Sequence, residues 1–365
     1  MPLARADQIM TAFAARTGLT SAQPVRRYLW TDAFAVCNYL GLFHETGDRT
    51  KLDQALRLVD QVHHTLGKHR TDDRRRGWIS GLADAAGDAH PTSGGLRIGK
   101  PRQERSPSEP FDERLEWERD GQYFHYLTKW MHALDQVSRV TGEARYNHWA
   151  RELAEAAWRA FVHASDGGRR MYWKMSIDLT RSLVFSMGQH DPLDGLLTAF
   201  ELEATAIDAG SPGPDLSAAI ADYTKMLDLS ALATDDPLGI GGLLVDAARA
   251  ARLSARGALT QPPGLHAAIQ EAARIGLARY ISSPELRAPA AHRLAFRELG
   301  LVIGLTDTPY AAAGQHILGF WLDPASRANS TWAEHADINE VMLATCLVPQ
   351  GFLRAFPFTR ADAVS

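Results

Sequence analysis

Only two cysteines, Cys37 and Cys346, occur in the 365-residue chain. That is too few for a disulfide framework or a cysteine-based zinc cluster. Both lie among apolar residues at helical spacing, which predicts buried free thiols. Charge of one sign is also scarce in blocks. Arg74, Arg75 and Arg76 directly follow Asp72 and Asp73, and the net charge is −4. The basic bias of a nucleic-acid-binding chain is therefore missing, and no nucleic-acid partner is expected. No run approaches the ~18 apolar residues that would span a bilayer, so no membrane partner is expected. The opening MPLARADQIMTAFAARTG mixes charge with apolar residues where a secretory signal carries an apolar core, which points to the cytoplasm. No GxSxG nucleophile motif is present. GGLRIGK lacks the GxxxxGK[ST] spacing and the preceding strand of a phosphate loop. Strand signals are nearly absent, with one short extended piece expected in RRMYWKMSIDL at 169–179.

What is present is helical periodicity. Caps and breakers predict twelve helices, near 6–16, 31–46, 50–67, 120–141, 143–163, 191–209, 214–231, 237–255, 264–281, 289–304, 308–321 and 333–347. Hydrophobic residues make up 45% of the chain, ample for a large core. Two joints repeat. Thr46-Gly47-Asp48 precedes Leu52, Ala55 and Leu56, and Thr141-Gly142-Glu143 precedes Tyr146, Ala150 and Leu153. In each, glycine can take the left-handed conformation that closes one helix, and the acid then meets the next helix's N-terminal dipole. Repeated helical hairpins imply an array or a closed ring.

The helices alternate in type. Those starting near 31, 120, 191, 237, 289 and 333 follow longer or more aromatic connections, whereas their partners follow short joints and carry charged faces, as in EARYNHWARELAEAAW. Six inner and six outer helices make an all-α (α/α)6 toroid. With these joints and this alternation, the chain resembles the six-hairpin glycosidase-like superfamily. Its members include glycoside hydrolases, unsaturated glucuronyl hydrolases and the N-acylglucosamine and cellobiose 2-epimerases. The resemblance implies carbohydrate chemistry in a pocket where the inner helices begin. A single domain over 1–365 is expected, because each hairpin alone would expose a large apolar face. The connection at 70–119 carries Trp78, Ile79, Leu82, Leu96, Ile98, Phe111 and Trp117, too apolar for a disordered tether. It is read as a folded cover over the pocket.

The inner helix starts then supply the candidate site residues. Near the first are Tyr28, Trp30 and Asp32. Near the second are Glu116, Trp117, Glu118, Asp120, Gln122, Tyr123 and His125. The third brings Gln189, His190, Asp191 and Asp194, approached by Trp173, Lys174 and Asp178. The sixth brings Trp332, Glu334, His335, Asp337 and Asn339. Trp78 joins them from the cover. Aromatic faces beside carboxylates and imidazoles suit a sugar, whose ring has apolar C–H faces and a polar edge. Simpler readings stand beside these. Asp191-Pro192-Leu193-Asp194 has the pattern of a helix start, with aspartate as cap, proline at the first helical position and an acid three residues on. Thr331 and Glu334 have capping-box spacing. Trp149, Trp158 and Trp321 on outer helices are expected in the core, and His63, His64 and His69 at the surface.

Three enzymatic readings follow. Glycoside hydrolysis needs two carboxyl groups across the bond, here Asp120, Glu116 or Glu118 on one side and Asp178 or Asp191 on the other. Sugar epimerisation needs a base beside a carbonyl, for which His190 and His335 are the pair and His125 the reserve. A metal site is not expected, since His190 with Asp191 and His335 with Asp337 are too close in sequence for helical ligand pairs, and asparagine at 339 is a poor partner for His335. A non-catalytic sugar-binding or protein-interaction scaffold is the remaining alternative. The expected partner is a sugar or oligosaccharide, with no cofactor. Self-association into a homo-oligomer is left open.

Overall fold

The computed structural model describes residues 2–260 and 262–358. Among the described residues, twelve helices of ten residues or more occur, one for each predicted segment. They are Pro2–Arg16, Leu29–Thr46, Arg49–Leu66, Phe124–Thr141, Ala144–Phe161, Asp191–Ala209, Ser217–Met226, Pro237–Ala255, Leu265–Ser282, Ala295–Leu305, Ala311–Leu322 and Ala336–Leu347. Five expected starts move inward by three residues or more, those at 120, 214, 289, 308 and 333. The segment at 120 begins instead at Phe124 because Gln122–Tyr123 is a short strand. Before Ala295 and Ala336 the chain makes separate short turns at Ala290–His292 and Ser330–Glu334.

The repeated joint is built the same way twice. Gly47 and Gly142 take φ of 70° and 73°. Their amides donate to the carbonyls of Phe43 and Ser138 at 2.8 and 2.9 Å. The threonine before each glycine donates back to the carbonyl four residues earlier, Thr46 to Leu42 and Thr141 to Val137. A left-handed residue here is cheap only for glycine, so both hairpins close on the same turn.

Contacts divide the chain into two compact units. One comprises residues 1–16, 37–51 and 228–354; the other comprises 17–36, 52–227 and 355–365. In the first, Pro237–Ala255 packs on Leu265–Ser282 and Ala295–Leu305. Ala295–Leu305 packs on Ala311–Leu322 and Ala336–Leu347, and Ala336–Leu347 on Pro2–Arg16. In the second, Phe124–Thr141 and Asp191–Ala209 pack on each other and on Ala144–Phe161, and Asp191–Ala209 also on Ser217–Met226. Among the predicted inner helices, Asp191–Ala209 is buried nearly all round along its first half: residues 191 to 200 are all buried. Ala144–Phe161 instead buries one stripe, with Tyr146, Asn147, Ala150, Leu153, Ala154, Ala157 and Phe161 at helical spacing.

Two expectations about polar residues are corrected. His63 is 3% exposed, not at the surface; its Nε2 accepts from Trp130 Nε1 at 3.2 Å, and Trp149 stands edge-on to its ring. Burial lowers its pKa to about 3, so the ring is neutral. Thr331 and Glu334 form no capping box. Asn329 caps that turn, accepting from Trp332 N, while Thr331 donates to the carbonyl of Ala291. Trp321 is in the core, as are both cysteines, which are free thiols raised in pKa by burial.

The segment 70–119 is folded. It carries short helices at Asp84–Ala89 and Glu113–Glu118, and buries Trp78, Ile79, Leu96 and Ile98. Leu82, Phe111 and Trp117 are exposed. Charged side chains also pin the segment, Arg70 donating to the carbonyls of Lys100 and Pro101 and Arg97 to those of Thr65 and Lys68.

Candidate active site

A three-stranded antiparallel sheet positions the site. Strand Gln122–Tyr123 pairs with Lys174–Met175, which pairs with Ser182–Val184. Tyr123 lies opposite Lys174, and Trp173 precedes it in the chain. The strand runs straight into the helix Phe124–Thr141, so His125 and Tyr126 stand on its first turn. These rings form one aromatic group. Trp173 stands edge-on to Trp117 at 4.8 Å and tilted against Tyr123 at 5.5 Å, between ring centres. His125 stacks on Tyr123 at 5.4 Å and on Trp173 at 6.2 Å. Tyr126 is edge-on to His125 and to Tyr123, and its hydroxyl is 2.6 Å from that of Tyr28. Trp30 tilts against Tyr126 and Phe34. Trp117 remains 44% exposed, so the group opens to solvent at that end.

Beside it lie two carboxyl groups on the first turn of Asp191–Ala209. Their i, i+3 spacing puts both on one face of the helix. Asp194 Oδ2 accepts from Thr128 Oγ1 at 2.6 Å and from Lys129 Nζ at 2.7 Å, both on the helix Phe124–Thr141. Asp191 is different. The expectation that it caps the helix is corrected, because His190 occupies the cap position and Asp191 is already helical, without a side-chain cap bond. Asp191 is 5% exposed and its Oδ2 is buried without a hydrogen-bond partner. Burial, reinforced by the neighbouring Asp194, raises its pKa to about 7, against a smaller opposing effect from the backbone of Gly188. The same two acids and Asp222 add to burial in raising the phenol of Tyr223. His125 moves the other way: burial, then the Lys129 ammonium, lowers it to about 4 despite Asp194. At neutral pH the site therefore holds a neutral imidazole, a carboxyl group near its titration point and a carboxylate paired with an ammonium.

The remaining sequence candidates have other places. Asp120 is fully buried and accepts from Arg70 at 3.2 Å and Arg97 at 2.9 Å, and from the amides of Gly99, Lys100 and Gly121. Glu116 bridges Lys174 Nζ at 2.8 Å and Arg105 Nε at 3.0 Å. Lys174 also donates to the carbonyls of Glu116 and Arg119; burial lowers its pKa, against the pull of Glu116. Gln122 holds the amide of Leu96 and the carbonyls of Gly94 and Ile177. These four staple the 70–119 segment to the sheet. Glu118 makes an exposed pair with Arg102. Asp178 binds Arg75 at 2.6 Å. Burial raises its carboxyl, but Thr180 and Ser176 hydrogen bonds and the Arg75 charge outweigh this, holding it at about 2. Trp78 is buried beneath Lys68 Nζ, and Asp32 accepts from Arg27 and from Tyr28 N. Gln189 is exposed and His190 half-buried just before the carboxyl pair. Trp332, His335 and Asn339 belong to the other unit, where Trp332 stacks on Trp321, His335 stands edge-on to Phe296 and Asn339 donates to the Trp332 carbonyl.

Sequence reasoning missed Tyr126, Thr128, Lys129 and Tyr223. Tyr126, Thr128 and Lys129 follow His125 on the same helix, so one turn's further reading at 125, 128 and 129 would have found the face that meets Asp194. Tyr223, in the middle of an outer helix, gave no such signal. Among the described residues, one group has the composition to hold a metal ion, His90 with His148 and Glu152. No helix among them is long and apolar enough to cross a membrane.

No protein-family model and no curated protein matches the chain. Solved structures do. It is similar to the GH76A α-1,6-mannanase of Salegentibacter sp. HEL1_6 in complex with α-1,6-mannotriose, as an inactive variant with two consecutive aspartates changed to asparagine. The TM-score is 0.57 at 11% identity, covering 97% of this chain and 100% of that one. It is also similar to the GH76 α-mannanase of Bacteroides thetaiotaomicron, with TM-score 0.56, 11% identity and coverage of 97% and 98%. A second structure of the Salegentibacter enzyme matches with TM-score 0.53 and 12% identity over 97% and 100%. This likeness shows the fold to be an (α/α)6 toroid.

Proposed function

We propose that the chain is a glycoside hydrolase whose sugar site is the aromatic group around Tyr123, His125 and Trp173 with the carboxyl pair Asp191 and Asp194. One observation carries the reading: two carboxyl groups share one helix turn in opposite surroundings, one buried with its Oδ2 unpartnered, the other held by an ammonium and a hydroxyl. Splitting the environments of two carboxyls is how one site holds both an acid and a base. Asp191 keeps its proton up to about neutral pH and donates it to the departing glycosidic oxygen. Asp194, fixed by Thr128 and Lys129, places negative charge beside the developing oxocarbenium ion, and water then adds to the anomeric carbon, giving up a proton that restores the Asp191 acid. The rings take the C–H faces of the sugar, and the neutral His125 is available to its hydroxyls.

The inactivated neighbour lost two consecutive aspartates. This chain has two such pairs, Asp72-Asp73 and Asp235-Asp236. Asp72 pairs with Arg70, Asp73 with Arg75, Asp235 with Arg279 and Asp236 with Arg297, so none has the surroundings of Asp191. The first substrates to offer are α-1,6-linked mannooligosaccharides, since a neighbour binds one. Its two free thiols suit a reducing cytoplasm.

The test is product analysis by chromatography over a glycan panel for the wild type, Asp191→Asn and Asp194→Asn. Cleavage of one glycan class by the wild type, with a loss of 100-fold or more in both variants, supports the reading. A wild type that cleaves nothing, or variants that cleave as well as it does, overturns it.

A further inference from the structure

In the second unit, well apart in sequence from the proposed acids, two partly exposed histidines converge on one glutamate. His148 and Glu152 are i, i+4 neighbours on the helix Ala144–Phe161, and His90 ends the short helix Asp84–Ala89. Glu152 Oε1 lies 2.5 Å from His90 Nδ1 and 3.2 Å from His148 Nε2. One donor atom from each residue lies within 4.8 Å of the others. We infer that these three side chains form a binding site for a zinc-like divalent cation, which would clasp the 70–119 segment to the helix Ala144–Phe161.

The hydrogen bonding around the cluster argues for a cation. His148 Nδ1 is 3.3 Å from the carbonyl oxygen of Pro212, which can only accept, so that nitrogen carries the proton. His148 Nε2 then presents a lone pair to a carboxylate oxygen that is itself an acceptor. Two acceptors at this distance need a positive charge between them, either a proton or a metal ion. A carbonyl behind the ring is also the usual partner that orients a metal-bound imidazole. Glu152 Oε2 is buried without a hydrogen-bond partner, leaving a second oxygen for the same ion. In a tetrahedral zinc site, ligands ~2.0–2.2 Å from the metal stand roughly 3.4 Å apart, a spacing these side chains reach by small rotations. Two imidazoles and one carboxylate suit zinc, with water in the fourth position on the half-exposed side of His90 and His148.

The backbone under the cluster is already fixed. Thr92 Oγ1 donates to the carbonyl of Trp149 at 2.7 Å, and Trp149 Nε1 donates to the carbonyl of Ala89 at 2.8 Å. His90 is thus held against the helix whether or not an ion is bound. The role is that of a clasp, separate from any chemistry on sugar.

The test uses the full chain after chelator treatment and dialysis. Zinc chloride is titrated calorimetrically into the wild type, His148→Ala and the near-isosteric Glu152→Gln, and cobalt chloride is followed by visible absorption. The expected result is one equivalent of zinc bound by the wild type, at least 100-fold weaker binding in either variant, and tetrahedral cobalt absorption only in the wild type. If the variants misfold by circular dichroism, the wild-type cobalt spectrum decides alone. Absence of one-equivalent binding, absence of tetrahedral cobalt bands, or variants that bind as the wild type does would each overturn the site and leave a proton-bridged histidine–glutamate cluster.

Discussion

Asp191 shows at the scale of one residue what the letters conceal. In the sequence it reads as a cap, since aspartate before proline is the commonest way to start a helix. In the structure His190 takes that place, and the carboxyl group is buried with one oxygen unpartnered. Nothing in a one-residue shift of a helix start is legible from composition, although the shift turns a stabilising cap into a buried acid. The consequence is a stability signature. A carboxyl raised from its unfolded value near 4 to about 7 contributes stability that is complete at low pH and is lost as pH rises through that window. Denaturant unfolding at pH 4 and at pH 8 should therefore show the wild type losing stability relative to Asp191→Asn, which has no proton to lose. Equal pH dependence of the two proteins would mean that Asp191 is not buried as described. The same titration predicts that turnover falls on the alkaline side of about pH 7, as the proton donor is lost, and a flat pH–rate profile between 6 and 8.5 would exclude that role.

The elements were the most legible level. Twelve helices follow from periodicity and from two repeated Thr-Gly-acid joints, and the inner ones were recognisable because they follow longer or more aromatic connections than their partners. The 70–119 segment was legible as folded from its tryptophans and isoleucines, but not how it is held. Its staples are Asp120, Glu116, Gln122 and Lys174, the polar residues that a reading from chemistry assigns to catalysis. A buried acid with several donors and a catalytic acid have the same sequence. Their substitutions separate them. Asp120→Ala leaves Arg97 without its carboxylate and the amides of Gly99, Lys100 and Gly121 without their buried acceptor, while Arg70 keeps Asp72, and is expected to cost about 3–5 kcal/mol by denaturant unfolding. Glu118→Gln, which removes an exposed pair with Arg102, should cost less than ~1 kcal/mol. Gly95 marks the same staple from the backbone side. It takes φ of 77°, and a Cβ there would stand 2.1 Å from Gln122 Oε1. Gly95→Ala should therefore destabilise, and recovery of part of the loss in the double variant with Gln122→Ala would locate the clash. A double variant no more stable than Gly95→Ala alone would assign the cost to φ.

For the whole molecule, chain path bears on how the protein unfolds. Contact clustering gives two units, yet the boundary at 36/37 falls inside the helix Leu29–Thr46 and that at 51/52 inside Arg49–Leu66. Neither unit is one continuous stretch of chain, so no single cut releases either of them whole. Separate melting would have to break helical hydrogen bonds within both shared helices while leaving the rest of each helix folded. Helix propagation makes such internal ends costly, because each exposes unsatisfied backbone groups. We therefore expect residues 1–365 to behave as one cooperative domain. The tryptophans provide a direct check. Seven of the nine lie in the second unit, at 30, 78, 117, 130, 149, 158 and 173, with Trp321 and Trp332 in the first. Tryptophan fluorescence thus reports mainly one unit, whereas far-ultraviolet circular dichroism reports the helices of both. Coincident denaturant transitions by the two probes are the expected outcome. A fluorescence midpoint clearly displaced from the dichroism midpoint would mean two independently stable bodies, and the proposed sugar site, whose residues all belong to the second, would then be expected to survive the melting of the first.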